Sequence, residues 1–442
     1  MKKIYIGLFA ICIIFLFIIC TRIYKGSVKE MQTDLSTIDR TKRTEQTVTS
    51  DNNSETKDYP MVIDETGKKW ELKLGKINVG DSSEYFLTST PTAVYSQISD
   101  GHYYYMRSNG KGKYTIYRDK GEKIGKFLIE EFSGAISYFL KYGEDFYGVY
   151  DIDEYDEDEE NFDEEESDKV QLIKIDLEKS SYTVLPGVGE INIDEFGAML
   201  DRRMYFYFYR DSCFFDTGHD TSSTDLLKDA PMKYFPGKLM RIDQRGNKTE
   251  VQTTPNMDKA KPCLTFIDGK IYYGDQTGKT VNLYSYDIEK GIERKIFCYN
   301  RNDQSSILGY SPLDDKINLS IDNDYIYCQD YIIPRKGGEM IPLFRDAMLY
   351  DDDTISFSSN SKYIYYIDKN YKVRRFDKRT KQLITVTKKQ MMDVKCTEKG
   401  VYAQREKLMP GDWWDPHDTD DPTSCDLYYM DLDGKNIRKI AD

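Results

Sequence analysis

From about residue 92 onward, apolar and polar positions alternate in short runs, and the runs repeat. DGKIYYGDQTGKTVNLYSYDIEKG (Asp268 to Gly291) and SNSKYIYYIDKNYKVRRFDKRTKQ (Ser359 to Gln382) share one plan. Each has a tight turn, a tyrosine-rich run, then a second alternating run that closes on Asp before another turn. A period of two predicts strands with one buried face. Gly or Asn between the runs supplies the positive φ of tight antiparallel connections. The tyrosine run recurs around Tyr104, Tyr147, Tyr205, Tyr272, Tyr327, Tyr365 and Tyr402, and the second run closes at Asp119, Asp176, Asp243, Asp287, Asp377 and Asp431. Only the copy around Tyr327 lacks a clear second run, having IIPRKGG instead.

Units of roughly 40 residues holding four short strands are the pattern of β-propeller blades. The expected fold is all-β, a seven-bladed β-propeller, with six or eight blades as alternatives. A sandwich of similar hairpins would not demand sevenfold self-similarity. KIYYGD (Lys270 to Asp275) and YIYYID (Tyr363 to Asp368) resemble the IYWTD strand of the YWTD propellers in lipoprotein-receptor ectodomains. They resemble more closely a bacterial family of extracytoplasmic propellers defined only as a domain of unknown function. That resemblance spans Thr92 to the C-terminus. It implies a propeller outside the cytoplasm that binds, with no catalytic residue to carry over.

The N-terminus reads differently. An apolar run from Ile4 to Cys20, extended to Tyr24, has about the length of a membrane-spanning helix. No small-x-small cleavage site follows it, which favours an uncleaved anchor over residues 1–24. Residues 25–60 are polar with almost no large apolar side chain, the composition of a disordered stalk. The propeller then occupies 61–442, outside the cytoplasm on a single-pass anchor.

Net charge is −14, but Asp151 to Asp168 carries 13 acidic residues and no Lys or Arg, so the remainder is close to neutral. No basic composition points to nucleic acid. The acidic run could hold a divalent cation weakly through Asp153, Asp156, Asp158 and Asp163. It lacks the mid-loop Gly of an EF-hand, so a solvated loop is the stronger expectation, and no cofactor is expected.

Long excursions are expected at Asp151 to Lys169, Asp211 to Pro236, Arg405 to Ser424 and Cys298 to Asp315, all on the face opposite the short turns. Within one of them, GDWWDPHDTDDP places Trp413 and Trp414 beside Asp412, Asp415 and His417. Aromatics beside carboxylates suit a glycan or peptide platform. The competing expectation is a Trp that folds back to cap its own blade. His102, His219 and His417 lack metal-ligand spacing, and neither GxSxG, a P-loop nor a sialidase Asp box is present. DQTGKTV (Asp275 to Val281) reads as a hairpin turn. Among the cysteines, Cys396 and Cys425 are the best candidates for a disulfide. The functional expectation is non-catalytic binding of an envelope protein or cell-surface glycan. A propeller-type glycan hydrolase or lyase, and an envelope scaffold, are the alternatives.

Overall fold

A computed structural model describes residues 58–77, 95–108, 112–129, 134–152, 169–185, 191–192, 206–210, 212–216, 219–221, 233–235, 238–243, 245–260, 264–301, 317, 319–348, 355–406 and 425–441. The protein is all-β, and among the described residues the strands form seven main antiparallel sheets in chain order. Sheet 1 is Tyr95–Ser99, His102–Ser108, Lys113–Arg118 and Glu122–Leu128. Sheet 2 is Gly134–Tyr142, Asp145–Ile152, Lys169–Asp176 and Ser181–Val184, with Ile191–Asn192 beside its third strand. Sheet 3 is Phe206–Tyr209, Ser212–Asp216, Leu239–Asp243 and Lys248–Glu250. Sheet 4 is Thr265–Ile267, Lys270–Thr277, Thr280–Asp287 and Ile292–Asn300. Sheet 5 has three strands, Leu319–Ile321, Tyr325–Cys328 and Tyr331–Pro334. Sheet 6 is Phe357–Ser359, Tyr363–Ile367, Val373–Asp377 and Leu383–Thr385. Sheet 7 is Asp393–Cys396, Val401–Glu406, Cys425–Met430 and Arg438–Ala441.

Each sheet packs face to face on the next, because its alternating apolar residues have nowhere else to bury. Tyr104 of sheet 1 meets Phe146 of sheet 2, and Tyr142 and Tyr147 of sheet 2 meet Phe208 of sheet 3. Tyr207 stacks on Phe266 of sheet 4. Leu283 and Phe297 share a core with Leu319 and Ile326 of sheet 5. Tyr327 meets Phe357 of sheet 6, and Tyr365 shares a core with Val394 of sheet 7. The series returns to its start where Tyr402 of sheet 7 stacks on Tyr103 of sheet 1, ring centroids 4.2 Å apart. The arrangement is propeller-like. Sheets 1 and 7 close on each other through side chains, and each is built from one end of this domain's chain.

First strands of neighbouring sheets cannot pair with each other, so polar side chains join them. The Ser356 hydroxyl donates to Asp393, while Val394 N–H donates to Ser356 Oγ and Cys396 N–H to Ser358 Oγ. Asn360 Nδ2 donates to Thr397 O at 3.0 Å. The steps advance together along both strands, so the first strands of sheets 6 and 7 run parallel. Lys141 N–H bonds Gln97 Oε1 between sheets 2 and 1, and the Thr265 hydroxyl bonds Leu319 O between sheets 4 and 5. These bonds satisfy buried polar atoms that would otherwise each cost about 1–3 kcal/mol.

The repeated Asp of the second run has a structural role. It stands at the end of the third strand and receives backbone N–H groups of the turn into the fourth. Lys179 N–H donates to Asp176, Arg245 and Asn247 N–H to Asp243, Lys290 N–H to Asp287, and Arg379 and Thr380 N–H to Asp377. Short acidic side chains close such turns by local bonding.

Three expectations need correction. The run around Tyr205 leads into the first strand of its sheet, not the second: Phe206–Tyr209 pairs with Ser212–Asp216, and Arg210 after it has φ 50°. The excursion expected from Asp211 therefore starts after Asp216, and it contains a hairpin of His219–Thr221 with Lys233–Phe235. Cys298 lies inside the last strand of sheet 4, so that excursion starts only after Arg301. Cys396 and Cys425 are free thiols. They sit on the first and third strands of sheet 7 and point into different cores.

The missing second run near Tyr327 also has a cause. Sheet 5 makes its second turn at once, at Gln329 and Asp330, and its outer side is completed from elsewhere. Met61–Ile63 and Lys69–Glu71 form a hairpin, and Met61–Ile63 pairs in parallel with Gly338–Glu339 beyond sheet 5. Val62, Leu72 and Ile77 enter the core between sheets 4 and 5. Among the described residues no helix is long and apolar enough to cross a membrane, and the run from Ile4 to Tyr24 lies outside them.

Candidate binding face

Antiparallel strands send alternate connections to opposite ends of a sheet. At one end, the links between first and second strands and between third and fourth strands span two to seven residues. This end is interlocked across sheets. Arg210 of sheet 3 pairs with Glu289 of sheet 4, and Lys378 of sheet 6 pairs with Asp322 of sheet 5 at 2.7 Å. Ser361 of sheet 6 bonds Glu398 of sheet 7 through both its N–H and its hydroxyl. Tyr402 of sheet 7 donates to Asp119 of sheet 1, whose carboxylate also takes Tyr103 N–H and shares a hydrogen bond with His102 Nδ1. His102 therefore has a structural partner. Burial works to raise the Asp119 pKa, but the bonds from His102, Tyr103 and Tyr402 outweigh it and hold it below the ordinary value.

At the other end, second and third strands are joined by 153–168 in sheet 2, by 217–238 in sheet 3 and by 407–424 in sheet 7. The links from each fourth strand to the next sheet also leave at this end, among them 301–318 between sheets 4 and 5. DQTGKTV is a hairpin turn in which Thr277 faces Thr280. Trp413, Trp414, Asp412, Asp415 and His417 lie outside the described residues, as do Asp153, Asp156, Asp158 and Asp163. Their roots are described. Glu406 pairs with Cys425, so the tryptophan excursion leaves the long-connection end of sheet 7. Beside that root, Arg107 of sheet 1 donates to Cys425 O at 3.0 Å, and Lys439 pairs with Asp426 at 2.8 Å.

The best-defined polar cluster at this end was not anticipated from sequence. Arg301 follows sheet 4, Asp330 sits in the second turn of sheet 5, Arg345 follows sheet 5, and Glu65 tips the N-terminal hairpin. Arg345 Nη2 lies 3.0 Å from Glu65 Oε2, and the Tyr331 hydroxyl donates to the same carboxylate. Asp330 is almost fully buried, with Arg301 at 3.8 Å and Arg345 at 3.9 Å. Neither distance makes a hydrogen bond. Burial accordingly pushes the Asp330 carboxyl up to about 6, against the pull of both arginines. On the hairpin itself, Asp64 accepts Thr66 N–H, Lys68 N–H, Trp70 Nε1–H and Asn300 N–H. The only sequence signal for this docking was IDETGKKW, an alternating pair of runs around a Thr-Gly turn. Among the described residues no three His, Cys, Asp or Glu side chains converge as metal ligands would.

No family model matches the chain, and no curated protein does. Among solved structures it is similar to BamB from Moraxella catarrhalis, with 12% identity over 71% of this chain and 82% of that one, TM-score 0.34. It is similar to Sqt1 from Saccharomyces cerevisiae at 8% identity, over 82% of this chain and 97% of that one, TM-score 0.36. It is also similar to AztD from Citrobacter koseri at 10% identity, over 78% and 84%, TM-score 0.32.

Proposed function

We propose that the protein is a membrane-tethered, extracytoplasmic seven-bladed β-propeller that binds an envelope protein or cell-surface glycan, without catalysis, through its long-connection face. One observation carries this reading: the asymmetry between the two ends of the sheets. Short turns at one end are consumed in holding sheets to each other. The other end bears the three longest connections between second and third strands, and repeat proteins place such insertions where they bind. Trp413 and Trp414 are the proposed anchors, since large aromatics dominate interface energies.

The test is capture from envelope extract with the full chain, quantified for each identified partner. Replacing Trp413 and Trp414 with Ala weakens capture by at least about 2 kcal/mol, roughly thirtyfold, with the melting transition unmoved. Lys120→Glu, Lys290→Glu and Lys435→Glu, on the short-turn face, leave capture intact. Loss of capture from the lysine set alone would put the binding face at the wrong end. A collapse in stability on replacing the Trp pair would assign it to packing.

A further inference from the structure

The fourth strand of each sheet is an edge, and edges invite further strands unless blocked. In sheet 5 Ile341 bridges Ile332 on that side, and Gly338–Glu339 just before it pairs with Met61–Ile63. The edge strands of sheets 1, 3, 4 and 7 carry charges, among them Lys123, Lys248, Arg294 and Arg438. Ser181–Val184 of sheet 2 is uncharged, but sheet 1 abuts it, with Leu128 N–H bonding Ser180 O.

Sheet 6 differs from all of these. Its edge strand is Leu383-Ile384-Thr385, exposed throughout, and Leu383 and Ile384 are two of the few large apolar residues exposed on the described surface. Val386 N–H bonds Val373 O, and Asp377 N–H bonds Gln382 O. Ile384, opposite Arg375, falls in the same alternation and turns its backbone inward. Leu383 and Thr385 therefore present N–H and C=O outward.

The surroundings are cationic. Arg379, Lys381, Lys388 and Lys389 are exposed around the strand, and Lys381 is held by the rings of Tyr325 and Phe376. Residues 369–399 hold eleven Lys and Arg against three acids, in a chain of net charge −14.

We propose that the outer edge of sheet 6 is a second binding site, which takes an extended acidic peptide segment of another chain as an added strand. Backbone bonds from Leu383 and Thr385 would supply the pairing, Leu383 and Ile384 the apolar contact, and the flanking cations the selection for acid. A segment of that chemistry exists in the protein itself: residues 153–168, between the second and third strands of sheet 2, set Tyr155 and Phe162 among 12 acids. Sheets 7 and 1 stand between sheets 2 and 6 in the ring, so a second copy of this chain supplies the strand. This site is separate from the long-connection face.

The probe is a labelled peptide of the 153–168 sequence, titrated onto the full-length protein in detergent and read by fluorescence anisotropy. Saturable binding is expected that weakens at least tenfold when Lys381, Lys388 and Lys389 are replaced by Glu. The same peptide N-methylated at alternate residues keeps its charge but cannot pair as a strand, and it should bind at least tenfold more weakly. Trp413→Ala with Trp414→Ala leaves this binding unchanged, which separates the site from the one proposed above. Equal binding of the N-methylated peptide would reduce the interaction to charge alone and overturn strand addition. Undiminished binding to the Glu variant, or no binding at low salt, would overturn the site.

Discussion

Sheets 4 and 5 are neighbours built to different plans. Sheet 4 is a complete meander whose four strands follow one another from Thr265 to Asn300. Sheet 5 stops at three strands; beyond them Ile341 bridges Ile332, and Gly338–Glu339 pairs in parallel with Met61–Ile63 from far earlier in the chain. Sheet 4 is therefore stabilised mostly by contacts local in sequence, and sheet 5 by a contact distant in sequence. The hairpin touches both: Lys73 N–H bonds Ile296 O of sheet 4, while Glu65 is held by Tyr331 and Arg345 around sheet 5. An incomplete repeat can thus be a socket rather than a defect.

The strongest way to break the comparison is to empty the hairpin's core. Val62 and Leu72 are fully buried, so Leu72→Ala should cost about 2–5 kcal/mol and Val62→Ala somewhat less. Amide exchange should then accelerate first in Tyr325–Pro334 and later in Lys270–Asp287. Equal acceleration in both would mean that the sheets are one cooperative unit.

A smaller effect is expected from Asp64→Ala, which orphans five donors, the Thr66 hydroxyl included, and should cost about 2–3 kcal/mol in denaturant melts at pH 7. Burial works to raise the Asp64 pKa, but its hydrogen bonds hold it below the ordinary 3.8. Its contribution is therefore complete above that value and lost as pH falls through the folded value.

Asp330, in the second turn of sheet 5, has the opposite sign. With its folded pKa raised from 3.8 to about 6, the folded state binds the proton more tightly. Stability then rises as pH falls from about 6 toward 3.8. Asp330→Asn should raise stability by about 1 kcal/mol at pH 7 and change it little near pH 4. A neutral-pH loss would show that the two arginines need the charge.

The smallest effect belongs to sheet 4's own turn. Asp287→Ala removes one backbone bond at 3.0 Å and the exposed Lys290 ion pair, and should cost about 0.5–1 kcal/mol, leaving hairpin docking untouched. Limited proteolysis near residues 59–73 reads the docking directly.

Much of this fold was legible because its period is strict. KIYYGD and NLYSYD fall on the second and third strands of sheet 4, as expected, since alternation, turn glycines and a closing Asp all agree there. The run around Tyr205 misled because five aromatics in a row suit either of two adjacent strands, and only the partner across Arg210 decides between them. The Arg301, Asp330, Arg345 and Glu65 cluster was illegible for another reason. Its members lie up to 280 residues apart, and no local pattern marks a pairing made at that distance. Trp413 and Trp414 were singled out by composition alone, and only the ends of their excursion, Glu406 and Cys425, are placed.

The stack of Tyr402 on Tyr103 carries a consequence for how the molecule is made. Chains are synthesised from the N-terminus, so sheet 1 exists long before sheet 7. Tyr103 and Tyr105 face a partner whose Tyr402, Cys425, Leu427 and Tyr429 emerge some 300 residues later. At about 5–20 residues per second, that aromatic surface stays bare for tens of seconds. The nascent protein is then an open ribbon with a sticky first page, and a chaperone that shields tyrosine-rich strands would have its task set by the order of synthesis.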